Sequence, residues 1–381
     1  MLRTLYNEEH ELFRENYRKF LIQEVAPHRE AWRDAGIVPR EMFKKMGEQG
    51  FLLTWADEQH GGLGLEDFRF QQIMIEEDAT HSDAGFFHSL HSRLVAPYIK
   101  HFGNEEQQAR WLPGCITGDS ILAIAMTEPD VGSDLGGMKT RAEDKGDHWV
   151  LNGSKTFISN GINADLIIVA AKTNPENPRK IGLFVIERGM EGFERGRNLK
   201  KMGLKAQDTA ELFFNDVKVP KDNVLGDPEK GFHYLMRGLA EERLMGAVGY
   251  LACAWRALEI TLDYVKERKA FGQTIADFQN TRFKLASLNT DLEHAQCYVD
   301  YCVEAHNRGQ LTPEMAARAK LFTSEVEARA TDEGVQLHGG NGYMEEYEIC
   351  RLYQNARISR IYAGSSEIMR EIVAREILDR R

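Results

Sequence analysis

The sequence predicts a chain that is mainly α with a central antiparallel β domain, in three consecutive blocks, and three observations carry that expectation. Up to about Ile116 apolar residues recur at spacings of three and four. Near Ser120 the texture changes to short β-branched and aromatic runs punctuated by Asn-Gly pairs. From about Lys230 helical spacing returns in long segments. The expected divisions are 1–119 for an N-terminal α-helical domain, 120–228 for a middle β domain and 229–381 for a C-terminal helical domain.

Each block has its own signals. In the first, Leu12, Phe13, Tyr17, Phe20 and Leu21 form a stripe that makes 1–20 the first structural helix, and Gly61-Gly62-Leu63-Gly64 breaks the pattern between segments. In the second, the runs 148–151 and 155–159 end at Asn152-Gly153 and Asn160-Gly161, with further runs at 166–170, 181–186 and 210–219. Asn-Gly between apolar runs reads as a hairpin turn, so this block is expected to form an antiparallel barrel or sandwich. In the third, helices are expected at 231–266, 277–308, 313–338 and 366–379.

Composition narrows the function. With 42 % hydrophobic and 28 % charged residues and 10 prolines in 381, the chain is a folded globular protein. It has no apolar run long enough for a membrane span. Its 59 acidic against 48 basic side chains give a net charge of −11, which argues against a nucleic-acid or anionic-membrane binder. Cys115, Cys253, Cys297, Cys302 and Cys350 are odd in number, dispersed and without Cys-x-x-Cys, as expected in a reducing compartment. The first 20 residues lack a cationic cap followed by an apolar core, so neither a secretory nor a transit signal is expected there.

The common nucleotide, zinc-protease and serine-hydrolase motifs are missing, as are the Glu-x-x-His pairs of a di-iron bundle. His81, His88 and His91 lie close together but are read as surface or packing histidines rather than metal ligands. What stands out is a carboxylate among apolar neighbours. If 231–266 is one helix, Leu235, Leu239, Glu242, Gly246, Gly249, Cys253, Ala257, Ile260 and Tyr264 share a face. Leu244, Leu251, Trp255, Leu258 and Leu262 fill a second stripe, so the helix is expected to be buried and Glu242 to point inward. A buried carboxyl has a raised pKa, which suits a general base near neutrality; the plainer alternatives are a solvated helix glutamate beside Glu241 or pairing with a neighbouring arginine. Gly246 and Gly249 leave a slot that an apolar chain could fill. Three loops could expose backbone N–H groups to a ligand, though turn and capping roles account for each: 125–134, 336–343 and 361–368, the last opening the final helix.

Met126-Thr127-Glu128-Pro129 with Gly132-Ser133-Asp134, the runs 152–161 and 201–209, Arg268-Lys269-Ala270-Phe271-Gly272, and 336–343 follow one another along the whole chain. Together they resemble the acyl-CoA dehydrogenase family. The resemblance implies that family's fold: an α-helical domain, a β-barrel domain and a C-terminal four-helix bundle. It implies FAD as cofactor, a fatty acyl-CoA substrate and a trans-2-enoyl-CoA product, with electrons passed to an electron-transfer flavoprotein. It implies a homo-oligomer, expected as a tetramer built as a dimer of dimers. Most members carry the base as a glutamate between Tyr and Gly in the C-terminal loop, where this chain has Ala363. The long-chain and isovaleryl branches carry it on the helix after the β domain, immediately before an arginine, and Glu242-Arg243 stands at that place. The long-chain type is the nearer of the two, with a medium- to long-chain substrate expected.

By the same resemblance Ala363 offers its backbone N–H to the thioester oxygen. Ile124, Met126, Thr127, Phe157, Ile158 and Ser159 are expected against the flavin, with Ser133 on a flavin or substrate phosphate. Arg268, Phe271, Gln279, Gln336, Gly339 and Gly340 are expected to hold the ADP half from a neighbouring subunit, with Ser365 and Glu367 completing the cofactor set. Tyr234, Arg243, Tyr362 and Gly364 are expected along the acyl-CoA path. A bacterial cytoplasmic enzyme is expected, or a mitochondrial-matrix one if processed. The competing expectations are an isovaleryl or other branched-chain dehydrogenase, an acyl-CoA oxidase or monooxygenase on the same fold, and a catalytically silent acyl-CoA-binding protein.

Overall fold

The computed structural model describes residues 3–174, 176–177 and 179–379; Met1 and Leu2, where the first expected helix begins, lie outside them. That helix, α1 (Glu8–Phe20), starts instead at Asn7, whose side chain accepts the His10 backbone N–H while the His10 ring returns a bond to the Asn7 backbone. Acidic residues crowd its first turn, Arg18 and Lys19 its last, and it buries Tyr17 and Phe20. Then follow α2 (Arg29–Ala35), α3 (Arg40–Glu48), α4 (Phe68–His81), α5 (Ala96–Phe102) and α6 (Glu105–Thr117). Ahead of α5, Pro97 lacks the N–H that would continue a regular ladder, and 90–95 widen into a π turn in which the Ala96 N–H reaches the His91 carbonyl.

The middle block holds β1 (Leu122–Ala125), β2 (Arg141–Asp144), β3 (His148–Ser159), β4 (Leu166–Lys172), β5 (Ile181–Glu187), β6 (Phe193–Asn198) and β7 (Thr209–Pro220). They form one seven-stranded sheet in the order β1-β4-β2-β3-β7-β6, with β5 also on β4. Most pairs are antiparallel as expected, but β1 and β2 each meet β4 in parallel, so the sheet is mixed. Asn152-Gly153 is not a hairpin turn: it lies inside the continuous strand β3, where pairing with β7 slips between Leu151 and Gly153. Gly153 has φ +146°, and a Cβ there would come 2.5 Å from the Thr140 hydroxyl; the pair makes a bulge because only glycine fits it. Asn160-Gly161 does open a turn, after β3.

Strands β4 and β5 are buried on both faces, which explains why their sequences are continuously apolar rather than alternating. Ile168, Leu183 and Val185 join the core of the N-terminal helices, whereas Ile167, Val169, Phe184 and Ile186 fill the inside of the β block with Trp149, Leu212 and Phe214. The last block holds α7 (Gly231–Glu267), a small β8 (Lys269–Ala270) and β9 (Gln273–Thr274) hairpin, α8 (Gln279–Asn307), α9 (Pro313–His338), α10 (Glu348–Ala356) and α11 (Ser366–Asp379). Helix α7 packs on α8, α9 and α10, and reaches out of the bundle to α4. Leu244, Leu251 and Leu258 bury the second stripe of α7 in the bundle core. Among the described residues no helix is long and apolar enough to cross a membrane.

Candidate active site

The glutamate face of α7 lines a cavity. Glu242, Gly246, Gly249 and Cys253, one turn apart, bound a space of about 230 Å³ closed by Ile75 and Ala79 of α4, by Phe86, Phe87, Leu90 and Leu94, and by Ser159, Tyr362 and Ala363. Part of the Glu242 side chain is open, and it opens to this cavity and to a smaller one of about 140 Å³ bounded by Tyr98, Phe102, Tyr234 and Arg237. Burial pushes its carboxyl up to about 7, against the pull of the Arg243 and Lys320 charges. A carboxyl poised there exchanges a proton near neutrality.

Facing it is the turn 361–365. Ala363 holds φ +53° and Gly364 φ +92°, so an alanine sits in the left-handed region that non-glycine residues seldom occupy. Lys320 of α9, fully buried, anchors this turn by donating from Nζ to the Gly364 carbonyl at 2.7 Å. Burial, with the nearby Arg243 charge, pushes the Lys320 ammonium down to about 8. Arg243 is itself buried and its pKa lowered by burial; a Cβ on Gly364 would lie 3.9 Å from its guanidinium and 2.6 Å from Met369. Ser365 closes the turn by capping α11, its hydroxyl accepting the Ile368 N–H at 3.4 Å.

A buried ion pair, Lys155–Glu128, braces the β block next to the cavity residue Ser159. Lys155 of β3 donates to the Met126 carbonyl at 3.0 Å and to Glu128 at 2.9 Å, and Glu128 also accepts the Lys139 and Thr140 N–H groups at 2.6 and 3.0 Å. The Thr156 N–H meets the Thr127 carbonyl at 2.9 Å. These bonds clamp the loop after β1, which carries Met126 and Thr127, against β3, with Ile124 just ahead of it inside β1. Pairing of β3 with β7 slips again between Lys155 and Ile158, and Phe157, at φ +59°, projects 67 % exposed beside that loop. An exposed ring and a backbone edge of this kind fit the planar flavin that the motifs imply. Ile158 does not present its side chain there: it is buried in the β core with Trp149 and Leu212, leaving its main chain as what it can offer. Ser159 borders the cavity, and Ser133 lies exposed on the loop after β1.

The remaining expected residues gather elsewhere. Arg268 caps the end of α7, Phe271 stands 97 % exposed on the β8–β9 turn, Gln279 begins α8, Gln336 lies in the last turn of α9, and Gly339 and Gly340 follow it. The Tyr264 hydroxyl donates to the His338 carbonyl at 3.1 Å, and Asn341 donates to that hydroxyl at 3.1 Å, which ties these ends together. At about 1.5 Å per residue, α7 carries Arg268 roughly 40 Å from Glu242. Tyr234 stacks on Phe102 at 4.0 Å near the Glu242 side, and Glu367 lies exposed on the first turn of α11.

Of the three histidines read as surface or packing residues, His88 and His91 pack in the interior, while His81 is part-exposed beside Glu77. His88 bonds Asp78 at 2.8 Å, and buried His91 accepts the Leu122 N–H and donates to the Cys115 carbonyl, its pKa pushed down to about 4. Lys320 and buried Glu327, which also borders the cavity, went unforeseen, because each lies on a helix stripe that mixes polar and apolar residues.

Family models for the N-terminal, middle and C-terminal domains of acyl-CoA dehydrogenases match residues 7–119, 123–217 and 229–378. The chain is 47 % identical to the mitochondrial long-chain specific acyl-CoA dehydrogenase of Sus scrofa over 99 % of this chain and 88 % of that one. It is 37 % identical to the mitochondrial isovaleryl-CoA dehydrogenase of Pongo abelii, over 97 % and 88 %. Among solved structures it is similar to an acyl-CoA dehydrogenase from Geobacillus kaustophilus, with TM-score 0.96, 46 % identity and coverage of 99 % and 100 %. It is also similar to an acyl-CoA dehydrogenase complexed with FAD from Bacillus anthracis, with TM-score 0.91, 34 % identity and coverage of 98 % and 67 %.

Proposed function

The chain belongs to the acyl-CoA dehydrogenase family, an FAD-dependent oxidoreductase acting on a CH–CH bond, and from that premise we propose that Glu242 is its base and a medium- to long-chain acyl-CoA its substrate. One observation carries the reading: the Glu242 carboxyl, pushed up to about 7, stands between an apolar cavity and the strained Ala363 turn. The acyl chain lies in the cavity beside Gly246 and Gly249, and its α-carbon meets Glu242. Glu242 takes the α-proton, a role worth roughly 10²- to 10⁴-fold in rate. Negative charge then grows on the thioester oxygen, and the Ala363 N–H donates to it. Arg243, buried beside Glu242, keeps the local charge balanced as the carboxylate is consumed. Met126, Thr127, Phe157 and Ser159 would hold FAD, which when bound would supply the hydride acceptor for the β-carbon. The trans-2-enoyl-CoA leaves, and an electron-transfer flavoprotein collects the electrons.

The distance from Glu242 to the Arg268, Phe271, Gln279, Gln336 and Gly340 cluster exceeds what one dinucleotide bridges within a subunit. A neighbouring copy therefore supplies that cluster, in a tetramer built as a dimer of dimers. The three blocks 1–119, 120–228 and 229–381 act as its domains. The thiols of Cys115, Cys253, Cys302 and Cys350 are free, which supports a reducing compartment, the bacterial cytoplasm or a mitochondrial matrix. Identity of 47 % to a long-chain enzyme against 37 % to an isovaleryl enzyme supports the longer substrate. The test is anaerobic bleaching of the flavin by saturated acyl-CoAs of graded length. Bleaching that peaks with medium or long chains is expected; reduction by isovaleryl-CoA alone would overturn the chain-length reading.

A further inference from the structure

Along α7 the cavity extends from Glu242 past Gly246 and Gly249 to Tyr250 and Cys253. At about 1.5 Å per residue these last two lie roughly 12 and 16 Å beyond the base, which an extended chain covers with about nine to thirteen carbons. At that depth the wall stops being apolar. Glu327 of α9 borders the cavity there, acting electrostatically on Tyr250 and Cys253. It is 4 % exposed, and among the described residues its Oε2 has no hydrogen-bond partner. Ser359 acts on this carboxyl as a side-chain hydrogen-bond partner, although its hydroxyl also lies 2.7 Å from the Ala356 carbonyl, and Oε2 is the oxygen left to be completed.

A buried carboxyl oxygen with no partner is costly, and it persists where a ligand completes it. We propose that Glu327 makes the deep part of the acyl cavity a hydroxyl-selective subsite, so that this enzyme takes acyl-CoAs bearing a hydroxyl about ten carbons beyond the reacting pair. The proposal rests on the acyl-CoA reading above. A hydroxyl is the matching group because it both donates and accepts, and so pairs with Oε2 in either protonation state of the acid. Burial holds Glu327 well above the ordinary carboxyl range, which favours the neutral acid. A carboxylate at the same place is the wrong group, since Asp78, Asp83 and Glu327 all border this cavity and, among the described residues, no arginine does. Gly249 gives a chain the room to reach it, a Cβ there meeting Ile75 at 3.5 Å, whereas at Gly246 the Tyr250 hydroxyl already lies 2.8 Å from where a Cβ would stand.

The experiment compares kcat/KM of the holoenzyme for dodecanoyl-CoA, ω-hydroxydodecanoyl-CoA and the mono-CoA thioester of dodecanedioic acid, repeated with the tetradecanoyl set. One satisfied buried hydrogen bond corresponds to a preference of roughly tenfold, so the hydroxylated chain is expected to exceed the plain chain by about that factor in one of the two lengths. The dicarboxylic chain is expected to be poorest. In E327L the hydroxyl preference should invert, and in E327Q, whose amide also donates and accepts, it should persist. E327L should melt no lower than the wild type, because a buried carboxyl with an unpartnered oxygen has been removed. A wild-type ratio at or below one in both lengths overturns the subsite, as does an unchanged ratio in E327L. Failure of every one of these thioesters to bleach the flavin overturns instead the acyl-CoA reading, and this inference with it.

Discussion

Glu242 is expensive for the fold when ionised, and that cost gives two linked measurements. Its pKa is raised from 4.5 to about 7 by burial, so its contribution to stability is present below pH about 4.5 and is lost as pH rises through about 7. E242Q should therefore melt near the wild type at pH 5 and above it at pH 8, a difference that thermal unfolding across pH reads directly. The same ionisation switches the base on, so wild-type kcat/KM should rise through pH 7 and level off above it. E242Q should retain flavin and acyl-CoA yet lose bleaching by roughly 10²- to 10⁴-fold; bleaching at the wild-type rate would place the base elsewhere. Lys320 acts one step back from the chemistry. Its bond to the Gly364 carbonyl fixes the turn that aims the Ala363 N–H, and its charge holds Glu242 below where burial alone would put it. K320M should cut kcat roughly 10- to 100-fold with little change in KM, as loss of one aimed donor does. It should also move the rising limb of the pH profile upward, whereas K320R should restore that limb. A K320M profile with the wild-type midpoint would reduce Lys320 to a packing role.

At the scale of elements, α7 is where most of the site was legible, because a stripe of apolar and small residues broken by one carboxylate marks that carboxylate out once the helix is buried. The stripe through Glu242, Gly246, Gly249 and Cys253 does border the cavity. Helix spacing said nothing about Lys320 and Glu327, whose significance arises only where α9 meets α7 and the turn before α11. Strand β3 was legible as strand but not in its interruptions. Asn152-Gly153 carries the same dipeptide as a hairpin turn, and the Thr140 side chain packed against it, distant in sequence, is what makes it a bulge. The second slip, which turns Phe157 outward and Ile158 inward, likewise depends on register with β7. The glycine slot yields its own prediction. A Cβ on Gly249 would meet only Ile75 at 3.5 Å, so a modest side chain can be added there without disturbing backbone. G249V should leave short-chain turnover within about twofold and reduce kcat/KM for chains reaching past it by more than roughly tenfold, since overpacking a filled groove costs about 1–3 kcal/mol. Kinetics across graded acyl lengths checks this, and a uniform loss at all lengths would mean that the acyl chain does not run along this face of α7.

The whole molecule poses the question of how residues on one subunit, separated by the length of α7, can serve one cofactor. Phe271, almost fully exposed at φ +50°, and the open Gly339-Gly340 turn make a surface finished enough to receive a ligand but too far from Glu242 to share one within the chain. If each site combines Glu242 of one copy with Arg268 of another, two variants that are inactive separately should complement when mixed. E242Q removes the base, and R268E sets a negative charge where a pyrophosphate is expected. In a mixed dimer one site carries both lesions and the other carries neither. Random pairing makes half the dimers mixed with one intact site in two, so co-expressed subunits should recover about a quarter of wild-type activity under closed twofold symmetry. Sites built within single chains give a different result, because every site then holds one lesion and mixing recovers nothing. The recovered fraction, read against the FAD content of each purified assembly, therefore decides whether the cofactor belongs to the subunit or to the pair.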